Sequence, residues 1–330
     1  MFLLCIGGTE LSKVPGLSAA GANPEVIPFT APADADVIRF GKPKIVQGLP
    51  LDPEGHPSPA LITRAAVLEA ALPVFTLRAG SYIPPAPPYC ELGAGFGRDP
   101  RKESATPDAQ AILETAGELA RTCFSREPFL MIAESVPGGT TTALLALRAL
   151  GYTEMVSSAG PHNPTDLKEA VWREASARLG IKPGDFADDP VRAIMELGDP
   201  MQAAVAGFVR ALPPETETVL AGGTQMLAVA ALLRAMGASR LPMVATTKYV
   251  QNDGSSGFSK LAETLRVKTW AAPLDFSGSP HQGLRDYERG YVKEGVGAGG
   301  SVLYALRKGV PAERIIARTN TLYAEMIHSD

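Results

Sequence analysis

Two kinds of hydrophobic pattern alternate along the chain. Short apolar runs predict strands, and longer stretches with apolar residues at helical spacing predict helices. The predicted strands are Phe2–Ile6, Val74–Leu77, Phe129–Ala133, Thr218–Ala221, Met243–Thr246 and Arg314–Ala317. The predicted helices are Pro59–Ala71, Pro107–Cys123, Thr140–Leu150, Thr165–Leu179, Met201–Leu212, Thr224–Met236 and Gly297–Lys308. This alternation predicts an α/β fold with a largely parallel sheet.

The alternation is most regular from Pro107 to about Ala272, so we predict a large α/β core domain over residues 104–280. Residues 1–103 together with 281–330 are predicted to form a smaller capping domain that carries active-site loops. Pro and Gly punctuate the first hundred residues, above all residues 83–97. Because proline lacks the donor that a central strand needs, this stretch is predicted to be a long loop.

Composition and charge narrow the class of protein. The chain has 330 residues, of which 45% are hydrophobic and 20% charged, as in a folded globular protein. Its net charge of −4 argues against general binding to nucleic acid or to an anionic membrane. The apolar start Met1–Ile6 is too short for a signal peptide or a membrane helix, and we expect a cytoplasmic protein.

The scarcity of cysteine and histidine argues against a zinc site and against a disulfide-stabilised fold. Three cysteines lie far apart, and the four histidines have no partner at ligand spacing. We therefore expect reduced thiols, no metal site and no cofactor. His162 and His281 receive no catalytic role.

The most informative stretch runs from Met131 to Leu147. An apolar strand ends at Ala133, a turn with Pro137 and two glycines follows, and a helix begins in a run of three threonines. Free backbone N–H groups at such a helix start attract phosphate, and the carboxyl edge of a parallel sheet is where ligands bind. The alternative is a threonine helix cap without ligand. The Walker lysine is absent, so this is not a P-loop. The candidate phosphate-binding residues are Gly138, Gly139, Thr140, Thr141 and Thr142.

A second strand–turn–helix unit has the same character. Gly222 and Gly223 follow the strand that ends at Ala221, and a helix starts at Thr224. A Gly-Gly turn can serve close packing alone. Two such turns at the ends of separate parallel strands, however, would face the same edge of the sheet.

Glu294 stands directly before a glycine-rich turn that opens a helix. It could simply complement the helix dipole. It could also project into a cleft where small residues let a flat ligand approach. Partial desolvation would then raise its pKa toward the range of a general base.

These segments, in this order, resemble the nicotinate-nucleotide–dimethylbenzimidazole phosphoribosyltransferase family. Glu134–Ala143 resembles the family's GExxxGNTTTA phosphate loop, and Asp275–Gly283 is similar to its FSHSSxExG segment. Glu294–Ala298 resembles its EG[ST]GA element. The opening segment, Gly8–Glu25, looks like the divergent, largely archaeal and cyanobacterial branch. The resemblance implies a three-layer α/β large domain, a smaller domain from both chain ends, and a homodimer.

The resemblance also implies roles for individual residues. Glu294 matches the family's catalytic glutamate, which takes the proton from the attacking base nitrogen. The loop from Gly138 to Thr142 matches the site of the 5′-phosphate, with Glu134 as the acid before it. Further residues match the phosphate and ribose site: Lys168, Gly222, Gly223, Ser277 and Ser279. An acceptor-base pocket would draw on Tyr82, Tyr89, Gly295 and Gly297.

Three departures from the family pattern concern this site. Gly139 replaces the Asn of the phosphate loop, and Gly278 replaces the His of the FSHS segment. The DHGV element near the base pocket is missing, and the Pro-rich loop from Tyr82 to Gly97 stands in its place. The donor half of the site is therefore better supported than the acceptor half.

The function implied is transfer of ribose 5-phosphate from nicotinate mononucleotide to 5,6-dimethylbenzimidazole or a related base, as in cobalamin biosynthesis. Two alternatives stay open. One keeps the donor but uses another acceptor, such as adenine or a phenol. The other is a non-catalytic protein that binds nicotinate mononucleotide.

Overall fold

A computed structural model describes residues 1–18, 20–21, 25–48, 50–52 and 54–328. Four residues of the opening segment Gly8–Glu25 (19 and 22–24) lie outside the described residues. So do residues 49, 53 and 329–330 of the predicted capping domain.

Over the described residues the chain forms a seven-stranded sheet in the order β3-β2-β1-β4-β5-β6-β7, and every neighbouring pair is parallel. The strands are β1 (Phe2–Ile6), β2 (Val74–Arg78), β3 (Tyr89–Glu91), β4 (Phe129–Ser135), β5 (Glu217–Ala221), β6 (Met243–Thr247) and β7 (Thr269–Ala272). The predicted α/β class with a parallel sheet is confirmed.

Helices connect these strands. In chain order they are α1 (Thr30–Phe40), α2 (Ala60–Glu69), α3 (Ala109–Leu119), α4 (Gly139–Ala149), α5 (Thr165–Leu179), α6 (Pro190–Leu197), α7 (Pro200–Ala211), α8 (Thr224–Ala235), α9 (Lys248–Gln251), α10 (Phe258–Thr264), α11 (Gln282–Arg285), α12 (Ala298–Arg307) and α13 (Ala312–Ile327). One π-helical turn, Ala120–Phe124, extends α3.

The helices cover both faces of the sheet and make three layers. Leu3, Ile132 and Leu220 point to one face, where they pack against α3, α4, α7 and α8. Leu4 and Ala133 point to the other, against α1 and α12. Alternate residues of one strand thus enter different cores, as expected for strands buried on both sides.

A further hydrophobic cluster joins α2 to α12, α13 and the segment between β7 and α12, so it gathers residues from both parts of the chain that were predicted to cap the core. The proposed division into domains stays a prediction.

Three expectations from the sequence need correction. The predicted strand Arg314–Ala317 is wrong, because these residues lie inside α13, which buries Ile315, Thr319 and Leu322 at helical spacing. The Pro-rich loop contains the short edge strand β3, which begins directly after the last proline of the loop and includes none itself. The strand β7 and the helices α1, α6, α9, α10, α11 and α13 were not predicted.

The order of the strands fixes where a ligand can bind. From β1 the chain moves outward to β2 and β3, and from β4 it moves outward the other way, to β5, β6 and β7. The segments after β1 and β4 therefore diverge and leave a crevice at the carboxyl edge, the topological switch point at which open α/β sheets bind ligands.

Within the part of the chain that the structure describes, none of the helices has both the length and the apolar character needed to cross a membrane.

Candidate active site

A cavity of about 910 Å³ opens at this switch point. Its size is in the range of natural small-molecule sites. It is lined by the segments that follow β1, β4 and β5, by the segment before α12, and by α1 with the loop that leads from it to α2. The strand ends that carry the predicted phosphate turns and the segment of Glu294 therefore meet in one place.

The turn between β4 and α4 forms one wall. Gly138 precedes α4 with φ of +79°, and a Cβ there would come within 2.9 Å of the Ser12 nitrogen and of Thr9 Cγ2. Glycine is therefore required both by the left-handed backbone and by the close approach of the opening segment. Gly138 and Thr140 line the cavity, whereas Gly139, Thr141 and Thr142 do not.

Thr141 and Thr142, which do not line the cavity, are enclosed by the protein interior. Thr142 donates to the buried Asp199 carboxylate, which also caps α7 by accepting from the backbone N–H of Gln202 at 3.0 Å. Thr141 is buried. Thr142 therefore fixes the position of the turn from inside the protein.

Two polar side chains at this wall were not found from the sequence. The Ser12 hydroxyl is buried, lines the cavity beside Gly138 and has no hydrogen-bond partner among the described residues. The Gln225 side chain fills the space that a Cβ on Gly139 would need, and its amide oxygen is likewise buried without a partner in the described chain. Gln225 thus occupies the volume freed where the family has an asparagine.

The Gly-Gly turn after β5 lets two acidic side chains come close. Gly223 lines the cavity, and a Cβ on it would lie 4.0 Å from Glu294 Cγ. Gly222 lies behind it, where a Cβ would lie 3.3 Å from Glu134 Oε1 and 2.9 Å from Met226 Cγ. Larger side chains at either position would crowd the two glutamates.

Glu294 lines the cavity, and its carboxylate accepts hydrogen bonds at the start of α12. The backbone N–H of Gly295 donates to Oε1 at 3.1 Å, that of Gly299 donates to Oε2 at 3.3 Å, and the Thr246 hydroxyl donates to Oε2 at 3.4 Å. Burial raises the pKa of Glu294 to about 7, although these donors act in the opposite direction. Near neutral pH the group can therefore exchange a proton in either direction.

The backbone around Glu294 is strained. Val292 and Val296 both line the cavity with positive φ, 46° and 57°, a region that β-branched residues seldom adopt. Hydrogen bonds from neighbouring segments hold them there. The Val296 carbonyl accepts from the Thr63 hydroxyl at 3.0 Å, and the N–H of Lys293 donates to the Ala159 carbonyl at 3.3 Å.

Two more carboxylates line the same cavity. Burial and, next, the charge of Glu294 raise the pKa of Glu134 to about 8. Asp34, in α1, was missed from the sequence. Burial raises its pKa to about 6, although hydrogen bonds from Ser135 and Ser58 oppose the shift. At neutral pH most of the charge in this group of acids therefore resides on Asp34 and, in part, on Glu294.

Lys168 lies beneath the cavity and not on its wall. Its Nζ donates to the Ser157 carbonyl at 2.7 Å and to Asn163 Oδ1 at 2.8 Å. Burial, and then the charge of Lys293, lowers its pKa to about 7. Lys168 thus supports a loop, residues 157–162, from which Ser158 and His162 reach the cavity.

The remaining predicted residues divide into two groups. Gly295 lines the cavity, whereas Gly297, with φ of +66°, lies against Ala133 and Phe2 and lets α12 start close to the sheet. Four others do not line the cavity. Ser277 is exposed, Ser279 donates to Asn320 at 2.5 Å, Tyr82 packs edge-on against Phe96, and Tyr89 lies on the edge strand.

Comparison with solved structures defines the class of fold. Two structures from Thermus thermophilus superpose over 98% of this chain, each with a TM-score of 0.61 and 17% identity. They are a nicotinate-nucleotide-dimethylbenzimidazole phosphoribosyltransferase, of which 82% is covered, and a CobT, of which 83% is covered. The chain therefore has the fold of these enzymes, as the resemblance implied.

Sequence comparison then gives the family. A UPF0284 protein of Thermococcus onnurineus is 47% identical over 99% of this chain and 98% of its own length. A UPF0284 protein of Saccharolobus solfataricus is 40% identical over all of this chain and 94% of its own length. The chain belongs to the UPF0284 family. No model of a known protein family matches it.

Proposed function

We propose that this protein transfers ribose 5-phosphate from nicotinate mononucleotide to the nitrogen of an aromatic base, of which 5,6-dimethylbenzimidazole is the first candidate. One observation carries the proposal: the Glu294 carboxylate, with a pKa near 7, lines the same cavity as the Gly138 turn at the start of α4. A nucleotide phosphate at that turn would leave its ribose between the turn and Glu294.

The donor's phosphate suits the wall around α4. Gly138 and Thr140 expose the first turn of the helix, whose N–H groups and dipole favour an anion. The unpartnered Ser12 hydroxyl and the Gln225 side chain offer further contacts. We assign the phosphate to this wall because the charge on Asp34 and, in part, on Glu294 would repel it elsewhere in the cavity.

The reaction needs one proton to be moved. The base nitrogen attacks the anomeric carbon of the ribose, and the bond from that carbon to the pyridinium nitrogen breaks. The electron pair stays on the departing ring, which leaves as nicotinate and needs no proton. Glu294 takes the proton from the attacking nitrogen. Attack from the opposite face inverts the anomeric carbon from β to α.

Positioning of the two substrates supplies the rest of the proposed rate acceleration. Holding the two rings on opposite faces of the anomeric carbon can contribute several kcal/mol, on the order of 7–11 at best. A general base contributes about 10²–10⁴-fold.

The test is incubation of the protein with nicotinate mononucleotide and a panel of benzimidazoles, purines and phenols, followed by mass spectrometry. We expect nicotinate and the α-linked ribose 5-phosphate product of the accepted acceptor to appear together, which for 5,6-dimethylbenzimidazole is α-ribazole 5′-phosphate. Tight nucleotide binding without turnover of any acceptor would instead favour a non-catalytic sensor. The proposal also includes a homodimer, as in the family it resembles, and light scattering measures that mass directly.

A further inference from the structure

The proton transfer described above makes no use of Asp34, although Asp34 lines the cavity and is only 3% exposed. Its Oδ1 accepts from the Ser58 hydroxyl and its Oδ2 from the Ser135 hydroxyl, both at 2.7 Å. Each carboxylate oxygen has two lone pairs. One acceptor position on each oxygen therefore remains beyond these two bonds.

Asp36, in the same helix, shows what a purely structural carboxylate does here. It accepts from the backbone N–H groups of Lys44 at 2.7 Å, Ile45 at 3.1 Å and Ala86 at 2.8 Å, and so ties two loops to α1. It does not line the cavity. Asp34 differs, because among the described residues it accepts from the hydroxyls of Ser58 and Ser135 and from no backbone N–H group. The Ser58 hydroxyl in turn accepts from the backbone N–H of Ala60 at 3.2 Å, and these bonds leave part of the acceptor capacity of a buried carboxylate unused.

A second polar group accompanies Asp34. Thr30 lies one helical turn earlier and also lines the cavity, and its hydroxyl oxygen is buried without a partner among the described residues. Residues four apart share one face of a helix. Thr30 and Asp34 therefore present an unused donor and unused acceptors on the same stripe of α1.

The place of this stripe points to the acceptor end of the cavity. The charge on Asp34 would repel a phosphate that approached α1, so this stripe suits the uncharged acceptor ring better than the donor's phosphate, which is assigned to the Gly138 wall. Apolar side chains of Ile27, Phe29 and Val46 line the cavity near α1, as a flat ring requires. Ser58 bonds Asp34 while its neighbour Pro59 lies against Gly295, so Asp34 and Glu294 flank the start of α2.

We propose that Thr30 and Asp34 recognise a hydrogen-bond donor on the acceptor ring, at the edge away from the attacking nitrogen. The protein then prefers a base with a hydroxyl or amino group at that edge to one with methyl groups alone. This inference rests on the proposed function, whose acceptor class it narrows.

The preference has a simple cause. A methyl group would displace water from the Asp34 carboxylate and leave the open acceptor positions unsatisfied, and sites with buried polar groups reject such analogues strongly. Although burial raises the pKa of Asp34 to about 6, it is ionised at pH 8, and hydrogen bonds to a charged acceptor are the stronger ones.

The experiment compares 5-hydroxybenzimidazole with 5-methylbenzimidazole at pH 8, since hydroxyl and methyl groups have nearly the same size. With the wild-type protein and nicotinate mononucleotide we expect kcat/KM to favour the hydroxyl compound at least about tenfold. Equal values, or a preference for the methyl compound, would overturn the inference while leaving the transferase activity intact.

Binding measurements on the two bases test this inference separately from the proposed function. If neither base is turned over, transfer to these benzimidazoles is refuted, but dissociation constants from calorimetry still decide whether the hydroxyl compound binds at least about tenfold more tightly. Equal dissociation constants would then refute the recognition by Asp34 as well.

Substitutions test whether Asp34 causes the preference for the hydroxyl compound. In Asp34→Asn the ratio should shrink several-fold, because the charged acceptor is lost. In the matched control Asp36→Asn, which changes a buried carboxylate two residues away, the ratio should persist. An unchanged ratio in a folded Asp34→Asn protein contradicts the inference, and the wild-type ratio remains decisive if that variant does not fold.

Discussion

The backbone N–H of Val296 donates to the carbonyl oxygen of Glu134 at 2.9 Å, and this bond fastens the segment before α12 to the end of β4. The two acidic side chains nearest to it, Glu134 and Glu294, are thereby set on adjoining parts of the wall. Their electrostatic coupling follows from the backbone connection. A substitution in either segment is therefore expected to alter the positions and the electrostatic interaction of both carboxylates.

Replacement of Glu294 by Gln removes the proton acceptor and keeps the shape of the side chain. We expect kcat to fall about 10²–10⁴-fold, with little change in the dissociation constant of nicotinate mononucleotide. Single-turnover kinetics and calorimetry measure the two quantities. The exposed Glu313→Gln in α13 is the control. Unchanged turnover in Glu294→Gln would remove this residue from its role.

The pH dependence of kcat/KM follows from the same group. Glu294 acts as a base only when deprotonated, and its pKa is raised to about 7. The rate should therefore be lost as the pH falls below about 7 and should approach a plateau above it. A profile that stays flat down to pH 5 is incompatible with Glu294 as the base.

The turn at Gly138 can be tested with a matched pair of glycine substitutions. Gly138 and Gly309 have nearly the same positive φ, +79° and +82°, but a Cβ on Gly309 meets nothing within 4 Å. Gly309→Ala should cost only the backbone strain, about 1 kcal/mol. Gly138→Ala should cost more in the free energy of unfolding and also weaken nucleotide binding, since Ser12 and Thr9 must move. Equal losses in the two variants would show that the contact is unimportant.

Glu134 links the site to stability. Its pKa in the folded protein is raised to about 8, above its ordinary value, so the folded state favours the protonated form. The free energy of unfolding therefore declines as the pH rises from the ordinary value through about 8. Glu134→Gln stays neutral, and its stability relative to wild type should increase between pH 6 and pH 9 in urea titrations. A difference that stays constant between pH 6 and pH 9 would contradict this assignment.

Much of the fold could be predicted because its hydrophobic runs are unambiguous. Phe2–Ile6 and Thr165–Leu179 have the predicted ends, and the predicted strands that became β2, β4, β5 and β6 differ from the structure only at their termini. Arg314–Ala317 was misassigned because a short apolar run reads alike in a strand and in a buried helix. Its burial pattern at helical spacing became visible only over the whole of α13.

The site was predictable only where its residue types are distinctive. Glycine turns and Glu294 could be placed from spacing, whereas Asp34 could not, because α1 buries Asp34 and Asp36 and so has no simple apolar face. Ser12 and Gln225 reach the cavity through long-range contacts that no local pattern encodes. The roles assigned to Tyr82 and to the other predicted residues away from the cavity stay predictions.

Val292 and Val296, on either side of Glu294, have a left-handed backbone conformation, and this bears on how the segment around Glu294 responds to denaturant. A free chain avoids this conformation at Val292 and Val296, at a cost of about 1–3 kcal/mol each. In the folded protein the end of β4 and the loop at Ala159 hold the segment in this shape through hydrogen bonds to Val296 and Lys293, and we expect the segment to lose its shape when either is released. Activity should therefore disappear at a lower urea concentration than the far-ultraviolet circular dichroism of the helices, and coincident transitions would contradict this. The shape of the wall around Glu294 is then expected to be less resistant to denaturant than the helices that surround it.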